Sequence, residues 1–72
     1  MKLDYYKDTD SLYIDLSSRP SADSVEISDG IVLDYDAEGN ITGIDIDNAS
    51  EKTDLHKVIL NRMPSEVEAL AA

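Results

Sequence analysis

The run Asp34–Asp45, DYDAEGNITGID, sets its acids where a calcium-binding loop sets its ligands. Such a loop takes acids at positions one, three and five, glycine at six, a hydrophobe at eight and an acid at twelve. Asp34, Asp36, Glu38, Gly39, Ile41 and Asp45 fill those places in order. Carboxylate oxygens are hard ligands and suit a hard cation. Two side chains have the wrong length. Glu38 is longer than the Asp or Asn expected at position five. Asp45 is shorter than the bidentate Glu at twelve, so it reaches less far and lowers affinity.

The flanks weigh against the calcium loop, which needs a helix on each side. Here IVL precedes and ITGIDID follows. Both are β-branched and alternating, which predicts strands. Asp34 and Asp36 then point outward between inward residues, and Glu38 and Gly39 belong to a turn. The stretch reads as a solvated hairpin. Weak divalent-cation binding through Asp34, Asp36, Glu38 and Asp45 is the alternative it offers.

Other chemistry finds little footing. There is no cysteine, which removes thiolate metal sites, cysteine nucleophiles and disulfides. His56 is the single histidine and sits beside Leu55 at the edge of an apolar stripe. It reads as a surface residue rather than a general base. Aspartates are many, but a working acid–base pair needs a cleft that drives two pKa values apart. The three glycines are all accounted for by turns or a bulge, so none is left for a phosphate-binding loop. No catalytic residue, metal site or cofactor is expected, and the chain reads as a non-enzyme.

The elements that must position these side chains are short strands. In SLYIDL, Leu12, Ile14 and Leu16 alternate with Tyr13 and Asp15, the period of a half-buried strand. A turn at Asp8-Thr9 sets Leu3 across from Ile14 and Tyr5 across from Leu12, so the apolar faces coincide. SSRPSA reads as a loop. Val25 and Ile27 alternate with Glu26, and Ile31, Leu33 and Tyr35 share a parity. A three-residue loop, Ser28-Asp29-Gly30, pairs Ile27 with Ile31 and Val25 with Leu33, with Gly30 left-handed. Ala37-Glu38-Gly39 repeats the device and sets Tyr35 against Ile41. Ile44 and Ile46 then have the opposite parity to Ile41. Either a bulge near Thr42-Gly43 restores the face, or Val32, Ile44 and Ile46 lie on the opposite face under a partner.

Beyond Asn48 the period changes. Leu55, Val58, Ile59 and Met63 recur at helical spacing. Asn48 or Ser50 can cap, and Glu51 stands three after Asn48 as a capping box requires. Pro64 ends the pattern. The expected fold is α+β: an antiparallel β-meander of about five short strands, then a C-terminal helix packed on one sheet face. Residues 1–63 form the single domain, and 64–72 a short tail, helical or frayed.

With 72 residues the domain is small, and small domains bury too little surface to be robust. Self-association, as in a homodimer, is one way to gain buried area. Sixteen acidic and six basic residues give a net charge of −10. That charge disfavours nucleic acid and anionic membranes and suits a basic protein partner. No apolar run reaches the ~20 residues of a membrane span, and the N-terminus does not read as a signal peptide. A cytoplasmic location is expected. Tyr6, Tyr13 and Val32 fall on the face opposite the core parity, and outward tyrosines can anchor an interface. They are the candidate partner-binding residues.

The segments YYKDTDSLYIDLS and VEISDGIVLDYDAEGNITGIDIDNAS together resemble the short prokaryotic domain of unknown function 2283. Its pattern has an acid-flanked turn before LYI, then DGIVLDYD, a glycine turn, GI with an acid–isoleucine pair, and an alanine–serine end. The likeness spans about Tyr5 to Ser50 and departs at Asp45, where the family usually carries Glu. The resemblance implies a small cytosolic protein without established activity and with no catalytic residues to carry over. Members are occasional genomic neighbours of small toxin-like proteins, which implies an antitoxin-like or accessory role. The function expected is a non-enzymatic interaction module that self-associates or binds a basic protein.

Overall fold

The computed structural model describes residues 1–64; the expected tail lies, from residue 65 on, outside the described residues. The chain forms five strands and one very short helix: β1 (Lys2–Tyr6), β2 (Ser11–Asp15), β3 (Asp23–Ser28), β4 (Ile31–Tyr35), β5 (Ile41–Ile46) and α1 (Ala49–Lys52). All neighbouring strands are antiparallel.

The sheet order is β1-β2-β5-β4-β3, so the meander is not sequential throughout. β3, β4 and β5 form a meander, β1 and β2 a hairpin, and β5 joins the two by pairing with β2. The connection Leu16–Ala22 makes this reachable. It crosses the sheet end from a central strand to the far edge, held by Leu16 N–H to Thr42 O at 2.9 Å and Ala22 N–H to Tyr35 O at 2.7 Å. The pairing brings like to like, with Leu12 opposite Ile46 and Ile14 opposite Ile44.

The registers follow the alternation. Leu3 stands opposite Ile14 and Tyr5 opposite Leu12. Val25 pairs with Leu33 as expected, but the turn has two residues, Asp29-Gly30, and Ser28 pairs with Ile31. A bulge between Glu26 and Ser28 absorbs Ile27 and preserves the face. Gly30 takes φ 76 as the turn requires. Between β4 and β5, Asp34 pairs with Gly43 and Tyr35 with Ile41. Thr42 is therefore the extra residue of a bulge, which keeps Ile41, Ile44 and Ile46 together.

The helix falls far short of its expected length. It stops at Lys52, and Thr53 is extended at φ −137, ψ 162. One isolated turn follows, closed by Lys57 N–H to Asp54 O at 3.2 Å. Val58 and Ile59 are β-branched and lower helix propensity. Helices shorter than ~12–15 residues are marginal without packing. Val58 and Ile59 are 63% and 62% exposed, so little among the described residues packs on them. The expected capping box does not form: Asn48 is left-handed at φ 52 and makes no side-chain cap.

Candidate interaction surface

The Asp34–Asp45 stretch is a hairpin between β4 and β5, with strands on both sides. Its organiser is Asp36, which is buried. Asp36 Oδ1 accepts the backbone N–H groups of Glu38 and Asn40, both at 2.9 Å. Oδ2 accepts the Asn40 amide at 3.3 Å and lies 3.1 Å from Arg19 Nε. The bonds from Asn40, with lesser help from Glu38 and Arg19, hold this carboxyl below the usual carboxylate range. Gly39 closes the loop at φ 86. Asp34 is occupied elsewhere, accepting Tyr13 Oη at 2.8 Å and Ser24 Oγ at 2.6 Å. Asp34, Asp36, Glu38 and Asp45 do not converge, and among the described residues no group of three or more such ligands could hold a metal ion.

A second carboxylate works at long range. Asp10, left-handed at φ 52 in the first turn, accepts Tyr5 Oη at 2.7 Å, Ser50 N–H at 3.1 Å and Ser50 Oγ at 2.6 Å. Its carbonyl accepts Ala49 N–H at 2.9 Å. Asp10 thus caps α1 from forty positions away in the chain. The bonds from Ser50 first, then Tyr5, lower its pKa, and the same contact raises that of Tyr5. On the other side Lys52 Nζ donates to Asp29 O at 3.0 Å. Local capping rules could not locate Asp10, because its partner is close only after folding.

Since paired residues of adjacent strands point to one side, the registers divide the sheet into two unlike faces. One carries Asp4, Tyr6, Tyr13, Asp15, Glu26, Val32, Asp34 and Asp45, which places the three candidate partner-binding residues together among acids. They differ in availability. Tyr6 is exposed and Val32 half-buried beside Asp45. Tyr13 lies over Gly43, where an added Cβ would collide with its hydroxyl and ring. Gly43 is thus a seat for an aromatic ring, a role its neighbours in sequence do not reveal. The bond to Asp34, then burial and the charges of Asp34, Asp15 and Asp45, push the Tyr13 pKa up to about 12. Burial, with the charges of Asp47 and Asp34, raises that of Asp45.

The other face gathers Leu3, Tyr5, Leu12, Ile14, Val25, Ile31, Leu33, Tyr35, Ile44 and Ile46. No described element covers it. Leu3, Tyr5, Val25 and Ile41 are each more than two-fifths exposed, and Ile27 in its bulge is 57% exposed. Among the described residues no large side chain is fully buried, and only Leu12 and Ala49 form a buried apolar core.

The sequence pattern of the family described as "Protein of unknown function (DUF2283)" matches residues 2–50. The chain belongs to the DUF2283 family. The match covers all five strands and ends at Ser50, the residue that Asp10 captures. The DUF2283 unit is therefore the sheet and its pinned corner, and the segment beyond lies outside the match. No curated protein and no solved structure matches the chain significantly. Among the described residues no helix is long and apolar enough to cross a membrane.

Proposed function

We propose that this DUF2283 chain is a non-enzymatic interaction module whose interface is the apolar sheet face and whose occupant there is a second copy of the chain. The observation that carries this is the uncovered face itself: a single-layer sheet leaves Leu3, Val25 and Ile27 in solvent. Five strands spaced ~4.8 Å apart and five to six residues long present about 24 Å by about 18 Å of apolar surface. An apolar patch of that size is often functional. The placement of charge leaves this side open to an identical partner. The chain carries −10, and the sheet acids Asp4, Asp15, Glu26, Asp34 and Asp45 lie on the opposite face. Two copies can meet apolar face to apolar face with those acids turned away. A non-enzymatic role is supported by the engagement of Asp10, Asp34 and Asp36 in structural hydrogen bonds. Mass in solution measured against concentration tests the proposal. A dimer that Val25→Lys dissociates supports it, and a monomer at every concentration sinks it.

The acid face favours a second reading, a basic protein partner bound through Tyr6, Tyr13 and Val32. The supporting observation is the acid cluster on that face, where burial first, then the charges of Asp47 and Asp34, raises the pKa of Asp45. Titration with a lysine-rich peptide checks it: binding at low salt that fades with added salt supports this reading, and no binding at low salt removes it.

A further inference from the structure

We infer that Thr53–Met63 folds into a helix at the self-association interface, so that two such helices, one from each copy, form the layer between two sheets. This rests on the proposed homodimer and specifies what the second copy lays on the apolar face. Four observations converge on it.

The segment begins a helical turn but does not extend it. Asp54 already accepts Lys57 N–H at 3.2 Å, a closed turn with Asp54 at the position an N-cap occupies. Nucleating that turn is the costly step in helix formation. Lys57 and Arg62 lie toward the C-terminal end, as the helix dipole favours, and Pro64 stops the run.

The apolar residues of the segment cover too wide an arc for a helix packed on one side. At about 100° per residue, Val58, Leu55, Ile59, Met63 and Leu60 sweep about 200° of a helix surface. A helix on a single face needs a stripe of about 100°. In the extended segment this apolar surface is wasted: Val58, Ile59, Leu60 and Met63 are all exposed. A helix between two sheets uses both sides of such an arc.

The dimensions require two helices. A helix over Thr53–Met63 is about 16 Å long, which matches the strand length, and about 10 Å across. One covers less than half of a sheet about 24 Å wide, and two side by side cover nearly all of it. Among the described residues a lone copy has one such segment, and a second copy supplies the other.

The origin of the segment is fixed in the right place. Asp10 ties Ser50 to Tyr5, an apolar-face residue, at one end of the sheet, and Lys52 ties to Asp29 at that same end. The segment therefore starts at the rim of the face it is to cover. Its net charge is positive, from Lys57 and Arg62 against Asp54, whereas the rest of the chain is strongly acidic. That sign attracts the helix to either copy.

The test uses the full chain and two readouts, mass and far-ultraviolet circular dichroism, over a concentration series. Wild type is expected to gain helix signal in step with dimer formation. Ile59→Asp should raise the dimer dissociation constant at least tenfold and abolish the helix gain, and Ile59→Leu should preserve both. If dimers form with unchanged affinity in Ile59→Asp and without helix gain, the sheets meet directly. The inference then falls while the homodimer stands. Helix signal independent of concentration in a monomer would mean that each segment folds on its own sheet, which overturns the two-helix layer. A chain that stays monomeric without helix gain removes the homodimer and the inference together.

Discussion

At the scale of single residues, three side chains do most of the positioning. Asp36 builds the β4–β5 turn, Asp10 binds the first turn to α1, and Tyr13 occupies the space that Gly43 leaves. The Tyr13–Gly43 pair gives the most specific prediction. Gly43→Ala should displace the ring, break the bond to Asp34 and cost about 1–3 kcal/mol, as overpacking does. Tyr13 then loses its hold on the phenolic proton. In the folded wild type that proton stays to about 12, against an ordinary 10.0. A pKa raised by folding adds stability that is fully present below about pH 10 and is lost as pH rises toward 12. Alkaline phenolate absorbance should therefore show Tyr13 and Tyr5 both titrating late, and Gly43→Ala should bring only Tyr13 back. A second prediction concerns Thr42, 3% exposed, whose Oγ1 finds no hydrogen-bond partner among the described residues. Thr42→Val keeps the shape and removes the stranded hydroxyl, and should stabilise the fold by about 1 kcal/mol in a denaturant melt.

Elements are where sequence and structure part company most instructively. The strands were legible because alternation depends on each residue and its next-but-one neighbour, so Leu3, Leu12, Ile14, Val25 and Leu33 all face as their parity predicts. The Thr42 bulge was one of two alternatives that the parity change between Ile41 and Ile44 left open. Strand order was not legible, because nothing local tells Leu16–Ala22 to cross the sheet end and leave β2 for β5. The helix was over-read for a related reason: periodicity shows which face could be buried, but not whether the helix is stable enough to form there. Of the candidate patch, the common face of Tyr6, Tyr13 and Val32 could be read from parity, but the capture of Tyr13 by Asp34 could not, since their strands are not sequential neighbours. The corner where Asp10 caps α1 offers a prediction at this scale. Asp10→Ala removes the acceptor of Tyr5, of Ser50 N–H and of Ser50 Oγ together. Amide exchange at Ser50 should speed by an order of magnitude or more relative to β5. Unchanged exchange there would mean that α1 is held by something else. The same contact carries a pH signature. A carboxylate lowered by folding stabilises above its ordinary 3.8 and loses that contribution as pH falls through its folded value, so α1 should loosen on acidification before the sheet does.

For the whole molecule, the division into an acid face and an apolar face determines how association responds to charge. Asp45 is the weak point of the acid face. Its raised pKa means that its charge costs stability at neutral pH, and the cost disappears as pH falls through the folded value. Asp45→Asn should therefore raise the melting temperature slightly, by removing a charge that burial first, then Asp47 and Asp34, disfavours. Two copies of net charge −10 repel at long range, so added salt should tighten the homodimer, whereas it would weaken a complex with a basic protein. That opposite sign separates the two interfaces without knowledge of either partner. The claim on which the rest depends is that Leu3, Val25, Ile27 and their face are covered in solution by a second copy. A water-soluble paramagnetic probe, with methyl resonances followed over a concentration series, tests it most directly. Protection of the Leu3, Val25 and Ile44 methyls that grows with protein concentration, while Tyr6 stays accessible, is the predicted result. Methyls of that face bleached as readily as Tyr6 at every concentration would contradict it.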